Sequence, residues 1–196
     1  MWRKKTYILA VSAGLVAAAG ALFMLFSPDT SGGVPAPGPG LIKLEFKYDK
    51  KREFDDGNFK IRWKLDGDEL KVALESNYEK YMAFGINTKP KMKGADIIFV
   101  KIESGNVASV EDHFGHKKNK HELDTALGGS SSIKKFHDRS VGDWKAVEIV
   151  IDAHSDDPND VPIVKGESYY ILVAGSSKAA WLGVHPFYDK FKVKFE

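Results

Sequence analysis

The chain has 196 residues, of which 43% are apolar and 12% aromatic, so it can bury the core of one ordinary domain and is not wholly disordered. It carries 29 basic and 27 acidic residues, and without Arg3, Lys4 and Lys5 the balance is 26 to 27. This near-neutral balance argues against nucleic acid as a partner, because phosphate binding needs a clustered basic excess. The absence of cysteine excludes disulfides, thiolate metal sites and covalently attached c-type haem.

The N-terminus predicts a membrane anchor. Residues 7–26 form a run of 20 uncharged, mostly apolar residues, which at ~1.5 Å per residue spans the ~30 Å hydrocarbon layer. The basic end at residues 1–6 precedes this run, so the positive-inside rule predicts a cytoplasmic N-terminus and an extracytoplasmic remainder. We therefore predict a single-pass signal-anchor in the cell membrane. A signal peptide cleaved at the small residues 17–21 is the alternative.

The next segment, residues 27–40, is rich in proline and glycine, which together make up eight of its 14 residues. This composition has no apolar pattern and is typical of a semi-rigid linker. We predict that the linker holds a folded domain, residues 41–196, away from the membrane.

The domain has the period of β-strands. Apolar and charged residues alternate over 59–65 and 70–74, and an Asp-Gly-Asp turn at 66–68 joins the two runs into a hairpin. Further predicted strands are 41–48, 80–87, 95–103, 106–112, 133–138, 145–152, 168–175 and 191–195. We therefore predict an all-β fold, an antiparallel β-sandwich of about ten strands, behind an N-terminal transmembrane helix.

The chain lacks the common catalytic motifs, among them the Gly-x-Ser-x-Gly elbow, the P-loop and His-Glu-x-x-His, so we predict a binding or electron-transfer domain and not an enzyme. His113, His116 and His121 have only a loose metal-ligand spacing, and we interpret them as part of a solvated, lysine-rich loop. His185 lies in an apolar segment, residues 181–187, just before the last predicted strand. Its simplest interpretation is a core histidine bonded to the backbone.

Several short motifs occur in a recurring order. Residues 55–63 read DDGNFKIRW, residues 80–86 read KYMAFGI, and residues 91–96 read KMKGAD. An acidic segment at 156–163 precedes the apolar strand at 168–175. In this order the chain resembles the DOMON domain, named after the N-terminal region of dopamine beta-monooxygenase, whose Met-x-Gly-Ala-Asp motif matches residues 92–96. The chain departs from the family at Lys80, Tyr81 and Ile86, where Gly, Trp and an aromatic are usual, and at Ile151-Asp152, where many members carry Arg.

The resemblance implies a cofactor, because DOMON domains are β-sandwiches that bind haem b or, in some branches, sugars. It implies non-covalent haem b with Met92 and His185 as the axial iron ligands. A related branch, resembling the gamma subunit of ethylbenzene dehydrogenase, uses Met and Lys, so Lys178 and Lys190 are alternatives to His185. The residues expected to surround the macrocycle are Phe84, Gly94, Ala95, Trp181, Gly183 and Phe187, with Lys91 and Lys93 near the propionates. Asp96 is expected to fix its loop by bonding backbone N–H groups.

These observations predict a membrane-tethered, extracytoplasmic b-type cytochrome domain that exchanges single electrons with a redox partner protein or a quinone. The alternative is a haem-free module that binds a carbohydrate or another small ligand through Trp144, Tyr169 and Tyr188. A third possibility is an accessory domain that holds partner proteins.

Overall fold

The structure is a computed structural model that describes residues 42–178 and 185–196. Eleven strands account for nearly all regular structure in these two stretches. The strands are β1 (Lys50–Glu53), β2 (Phe59–Asp66), β3 (Glu69–Ser76), β4 (Tyr81–Asn87), β5 (Asp96–Glu103), β6 (Asn106–Lys117), β7 (Lys120–Leu123), β8 (Ile133–Val141), β9 (Trp144–Asp152), β10 (Ser168–Ser176) and β11 (Phe187–Lys194). A 3₁₀ turn at Asp124–Leu127 is the one helical segment within the described residues.

The strands form two sheets, in the orders β1-β2-β3-β9-β8 and β11-β10-β4-β5-β6-β7. Every neighbouring pair is antiparallel. The predicted hairpin is β2–β3, with Phe59 opposite Ser76 and Asp66 opposite Glu69. The predicted antiparallel β-sandwich is therefore confirmed, with eleven strands where about ten were expected.

The strand predicted at residues 41–48 is wrong. Residues 42–49 are irregular, and the edge strand β1 begins at Lys50. The carboxylate of Glu148 takes the place of a ladder partner: it accepts hydrogen bonds from the backbone N–H groups of Glu45 at 2.7 Å and Phe46 at 2.9 Å. The hydroxyl of Tyr48 donates a third at 2.9 Å. A single buried side chain on β9 therefore binds a segment whose apolar alternation predicted strand pairing.

The main core lies between the two sheets and consists of large apolar side chains. Its members with at most 1% exposure include Phe59, Ile61, Leu74, Phe84, Ile98, Ile149 and Ile171. A second, smaller apolar cluster involves the six-stranded sheet. It contains Tyr81, Ala83, Ala95, Ile97 and Phe99, with Met92, Leu172 and Ala174 packed against it. Strand β4 contributes to both clusters and is buried along its whole length.

The predicted basic end, transmembrane segment and linker, residues 1–40, lie outside the described residues, as do Trp181 and Gly183. Within the described residues, no helix has the length and apolar character needed to cross a membrane.

Candidate functional site: an apolar groove lined by Met92 and His185

A groove of about 190 Å³ lies on the outer face of the six-stranded sheet. The alternation of β4 produces it, because Met82, Phe84 and Ile86 belong to the main core while Ala83 and Gly85 line the groove. The neighbouring strands contribute apolar side chains to the same lining, namely Ile97, Phe99, Leu172 and Ala174. The groove therefore has small residues along its centre and larger apolar residues on either side.

Gly85 leaves the centre of the groove without a side chain. A methyl group at this position would lie 3.3 Å from Cγ1 of Ile97 and 3.6 Å from Cβ of Leu172, both on adjacent strands. The first contact is tight and the second is ordinary van der Waals contact, so a side chain here would push against Ile97 on β5. The absence of a side chain at Gly85 leaves the backbone open to a flat ligand.

Met92 lines the groove from the loop between β4 and β5. The loop is fixed at several points: the carbonyl of Met92 accepts the N–H of Ala95 at 2.8 Å, and the N–H of Gly94 donates to the carbonyl of Gly115 at 2.7 Å. A side chain on Gly115 would overlap the carbonyl of Met92, so the loop packs directly on the β6 backbone. These backbone contacts fix the position of the Met92 main chain and so of the base of its side chain.

Asn87 closes the base of the same loop. Its side-chain amide donates to the carbonyls of Lys91 at 2.7 Å and Lys93 at 3.1 Å. Gly94 has a φ of +82°, which only glycine adopts readily, and its position is that of a turn residue rather than a lining residue. The Met-x-Gly-Ala-Asp sequence therefore encodes the shape of the loop that presents Met92.

His185 lines the groove together with Met92. Its Nδ1 lies 2.5 Å from the hydroxyl oxygen of Tyr81, and the two rings meet edge to face at 5.6 Å. Burial lowers the pKa of His185, which favours the neutral imidazole that binds metals. When Nδ1 carries the proton and donates it to Tyr81, Nε2 keeps the lone pair that a metal requires.

His121 also lines this groove, which the sequence did not predict. The interpretation of the histidine segment as a solvated loop is wrong, because β6 continues to Lys117 and β7 pairs with it from Lys120. This hairpin places Nδ1 of His121 3.2 Å from Nδ1 of His113. Burial, followed by the neighbouring imidazoles, lowers the pKa of His121 to about 4, so it is neutral near pH 7.

No clear pattern in the sequence marks His121, because the segment KHEL has little apolar alternation and the pairing of β7 with β6 is seen only in the structure. His116 contacts Glu122, with 3.4 Å between Nδ1 and a carboxylate oxygen. No group of candidate metal ligands found among the described residues includes any of these three histidines.

The structure places other predicted site residues away from the groove. Phe84 lies in the main core, and the ring of Phe187 packs against Phe54, Phe59 and Tyr78. Trp181 is outside the described residues. The large apolar side chains that line this groove are those of Ile97, Phe99 and Leu172.

Basic side chains stand at the rim. Lys91 and Lys190 line the groove, and Nζ of Lys190 lies 3.3 Å from the carbonyl of Pro90. Lys178 does not line it and bonds through its backbone to Ser176. Of the two lysines considered as alternative ligands, Lys190 is therefore the one at the groove.

The comparisons with known proteins agree with this architecture. The family model of the DOMON domain matches residues 55–176. Among solved structures, the chain is similar to the cytochrome domain of Myriococcum thermophilum cellobiose dehydrogenase, with a TM-score of 0.52 and 11% identity over 70% of this chain and 75% of that one. The comparison with curated proteins found no match. An 11% identity shows a shared fold alone, whereas the family match covers more than half of the sequence: the chain belongs to the DOMON domain family.

Proposed function

We propose that the chain is a b-type cytochrome domain that transfers single electrons. The observation that supports this most strongly is that one apolar groove is lined by both the thioether of Met92 and the imidazole of His185. These residues are 93 positions apart in sequence, and the fold brings them to the same cavity. A soft sulfur donor and a neutral nitrogen donor are a ligand pair used in electron-transfer haem proteins.

The residues around the groove fit a porphyrin. Ala83, Gly85 and Ala174 leave room along its centre, and Ile97 and Leu172 supply apolar contacts. The volume of about 190 Å³ is smaller than the ~300–1,000 Å³ of typical ligand sites, so the groove would hold only part of a haem and the remainder would extend beyond it. Lys91 and Lys190 stand at that rim, where an ammonium group can pair with a propionate.

A bound haem supplies a reversible one-electron couple. The residues of this chain set its properties: Met92 provides a thioether that favours ferrous iron, and His185 provides an imidazole oriented by Tyr81. If Met92 and His185 both bound the iron, dioxygen or a substrate would have to displace one of them to bind there. The apolar lining limits water, while Tyr188, 65% exposed at the edge of the groove, leaves that edge accessible to a partner.

The proposal extends to the location of the domain. We propose that residues 7–26 anchor it in the cell membrane, that residues 27–40 form the tether, and that the domain exchanges electrons on the extracytoplasmic side with a redox protein or a quinone. Support comes from the length of the apolar run and from the basic residues that precede it.

The haem-free carbohydrate-binding alternative receives less support. Of its three candidate aromatics, Trp144 is 7% exposed and Tyr169 is 5% exposed. The hydroxyl of Tyr169 is already engaged, donating to the carbonyl of Pro162 and accepting the N–H of Val164, each at 2.9 Å. A sugar-stacking platform needs exposed rings, and within this set the structure exposes Tyr188 alone.

The decisive experiment is an absorption spectrum of the full-length chain, purified with detergent after expression with haem available. We expect a sharp Soret band, split visible bands on reduction, and complete extraction of the haem by acid–acetone, because no thioether bond is possible without cysteine. His137→Ala, on β8 of the other sheet, is a matched control and keeps the same spectrum. A folded protein that stays colourless on haem titration would overturn the proposal.

A further inference from the structure

Four aspartates converge at one end of the six-stranded sheet, away from the groove lining. Asp96 begins β5, Asp112 lies on β6, Asp124 begins the 3₁₀ turn, and Asp160 belongs to the acidic loop after β9. One carboxylate oxygen from each of Asp96, Asp112 and Asp160 lies within 4.8 Å of the others. Asp124 is close enough to this group for the charges of Asp112 and Asp160 to raise its pKa. Three segments therefore present carboxylates to one point, and a fourth carboxylate stands beside them.

These carboxylates are buried and under-partnered. Asp124 is 0% exposed, and neither of its oxygens has a hydrogen-bond donor among the described residues. Asp96 and Asp112 are each 4% exposed and each have one unpartnered oxygen. The other oxygen of Asp112 accepts the N–H and the hydroxyl of Ser132, both at 2.7 Å. The bonded oxygens orient the side chains, and the unpartnered ones point to a missing positive group.

Nothing in the described part of the chain supplies that positive group. No lysine, arginine or histidine described there forms an ion pair with any of the four aspartates. Burial and mutual repulsion raise the pKa of Asp124 to about 7 and that of Asp160 to about 6. Desolvating several like charges without a cation is strongly unfavourable.

We propose that Asp96, Asp112, Asp124 and Asp160 bind one Ca²⁺ ion. The donor set is all oxygen, which suits a hard cation and is poor for Zn²⁺, whose structural sites use histidine and cysteine. Ca²⁺–oxygen distances of about 2.3–2.6 Å place opposite ligands about 5 Å apart, so separations up to 4.8 Å fit one coordination sphere. Asp160 is only half-buried, so this side admits the ion and the waters that complete its shell.

The ion would join segments that the strand ladders leave separate. Asp96 follows directly after the loop that presents Met92, Asp124 anchors the turn after β7, and Asp160 anchors the acidic loop. Binding therefore stabilises the native state and these loops in particular, by mass action on a site absent from the unfolded chain. The inference is independent of haem, because none of the four aspartates lines the groove.

The test uses the full-length chain, freed of metal with a chelator and titrated with CaCl₂ while thermal unfolding is monitored. We expect the midpoint to rise by about 5 °C or more at a hundredfold excess over Kd, and to rise far less with Mg²⁺. Asp124→Asn removes the Ca²⁺ response and leaves the metal-free protein as stable or more stable, because it relieves repulsion. Asp156→Asn, an exposed carboxylate of the same acidic segment, keeps the full response.

A second measurement does not depend on the variants. Tb³⁺, which occupies Ca²⁺ sites, should show luminescence sensitised by nearby aromatic residues, and CaCl₂ should displace it. A wild-type protein that neither shifts its midpoint with Ca²⁺ nor binds Tb³⁺ displaceably would show that the aspartates share protons instead, and the proposal fails. An unchanged response in Asp124→Asn also overturns it. The haem spectrum, recorded separately, distinguishes this failure from failure of the cytochrome proposal.

Discussion

The two faces of β4 serve different purposes with the same backbone. The residues that face the other sheet, Met82, Phe84 and Ile86, are large and at most 1% exposed. On the opposite face, Tyr81 and Asn87 are buried at the two ends of the strand, and between them Ala83 and Gly85 are small and leave a cavity. Side-chain size along one strand thus separates stability from binding: one face fills space, and the other withholds side chains where a ligand fits.

The largest expected effect comes from a substitution on the face of β4 that packs against the other sheet. Phe84→Ala removes a ring that is 1% exposed in the main core and should lower the free energy of unfolding by about 3–5 kcal/mol. Denaturant unfolding of the haem-free protein measures this value. The fraction that remains folded should still take up haem, since Phe84 does not line the groove. A loss of haem binding at full stability would contradict the division between the two faces.

A substitution at Ala83, one residue earlier on the groove face, is expected to affect haem binding more than stability. Ala83→Leu places a larger side chain in the groove, so it should weaken haem uptake at least tenfold while lowering the free energy of unfolding by no more than about 1–3 kcal/mol, less than Phe84→Ala does. Haem titration and denaturant unfolding of the same preparation test both parts. Unchanged haem affinity would place the cofactor elsewhere.

Among the residues at the groove, the two proposed iron ligands should have the largest spectral effect. Met92→Ala and His185→Ala should each convert low-spin iron to a high-spin form, and the methionine change should also lower the reduction potential. His121→Ala is the sharpest control, because this imidazole lines the same groove and its pKa keeps it neutral. If His121→Ala loses the low-spin spectrum and His185→Ala keeps it, the nitrogen ligand is His121.

The sequence predicted the sandwich because alternation and turn residues are local signals. The β2–β3 hairpin could be located to within two residues at its outer ends from a 2-residue period and an Asp-Gly-Asp turn. The irregular structure of residues 42–49 could not be predicted, because the partner of their backbone is the Glu148 side chain, about 100 residues away. Strand β7 was missed since its four residues, KHEL, have too little apolar alternation.

The site residues also divide into those that local sequence motifs predicted and those that they did not. Met92 and His185 were identified through motifs whose order survives in the sequence, and the structure brings both to one groove. Phe84, expected near the cofactor, lies in the main core, because the face on which a strand residue lies depends on its parity and Phe84 has the parity of the core. His121 was missed together with β7, whose four residues show little apolar alternation, and the aspartate cluster required segments between Asp96 and Asp160 to converge, which no single stretch of sequence shows.

The outer face should also respond to pH. Unfolded His121 has its ordinary pKa near 6.5, whereas the folded pKa is about 4. Between pH 4 and 6.5 the unfolded state binds more protons at this residue than the folded state does. The contribution of His121 to stability is therefore fully present above pH 6.5 and is lost as the pH falls toward 4. The haem-free protein should lose about 1–3 kcal/mol from this group. His121→Leu should remove this loss, which is measured as the difference in the free energy of unfolding between variant and wild type at pH 6.5 and at pH 4, so that the raised pKa values of Asp124 and Asp160 cancel. His137→Leu, at an exposed position of the other sheet, is the control variant.

The smallest expected effect concerns the hydroxyl of Tyr81. Tyr81→Phe keeps the ring, which stacks on Phe99 at 5.1 Å, and removes the oxygen 2.5 Å from Nδ1 of His185. Accepting the Nδ1 proton makes the imidazole a stronger donor and favours ferric iron, so its loss should raise the potential. A net hydrogen bond of about 0.5–1.5 kcal/mol corresponds to about 20–65 mV for one electron.

Spectroelectrochemical titration measures that shift, and Tyr188→Phe at the exposed edge is the matched control. A low-spin spectrum with a raised potential in Tyr81→Phe and no change in Tyr188→Phe identifies Tyr81 as a positioning residue that acts through His185. A purely structural role would lower stability and leave the potential where it was. A lowered potential would contradict this role, because loss of an acceptor at Nδ1 cannot make His185 a stronger donor to the iron.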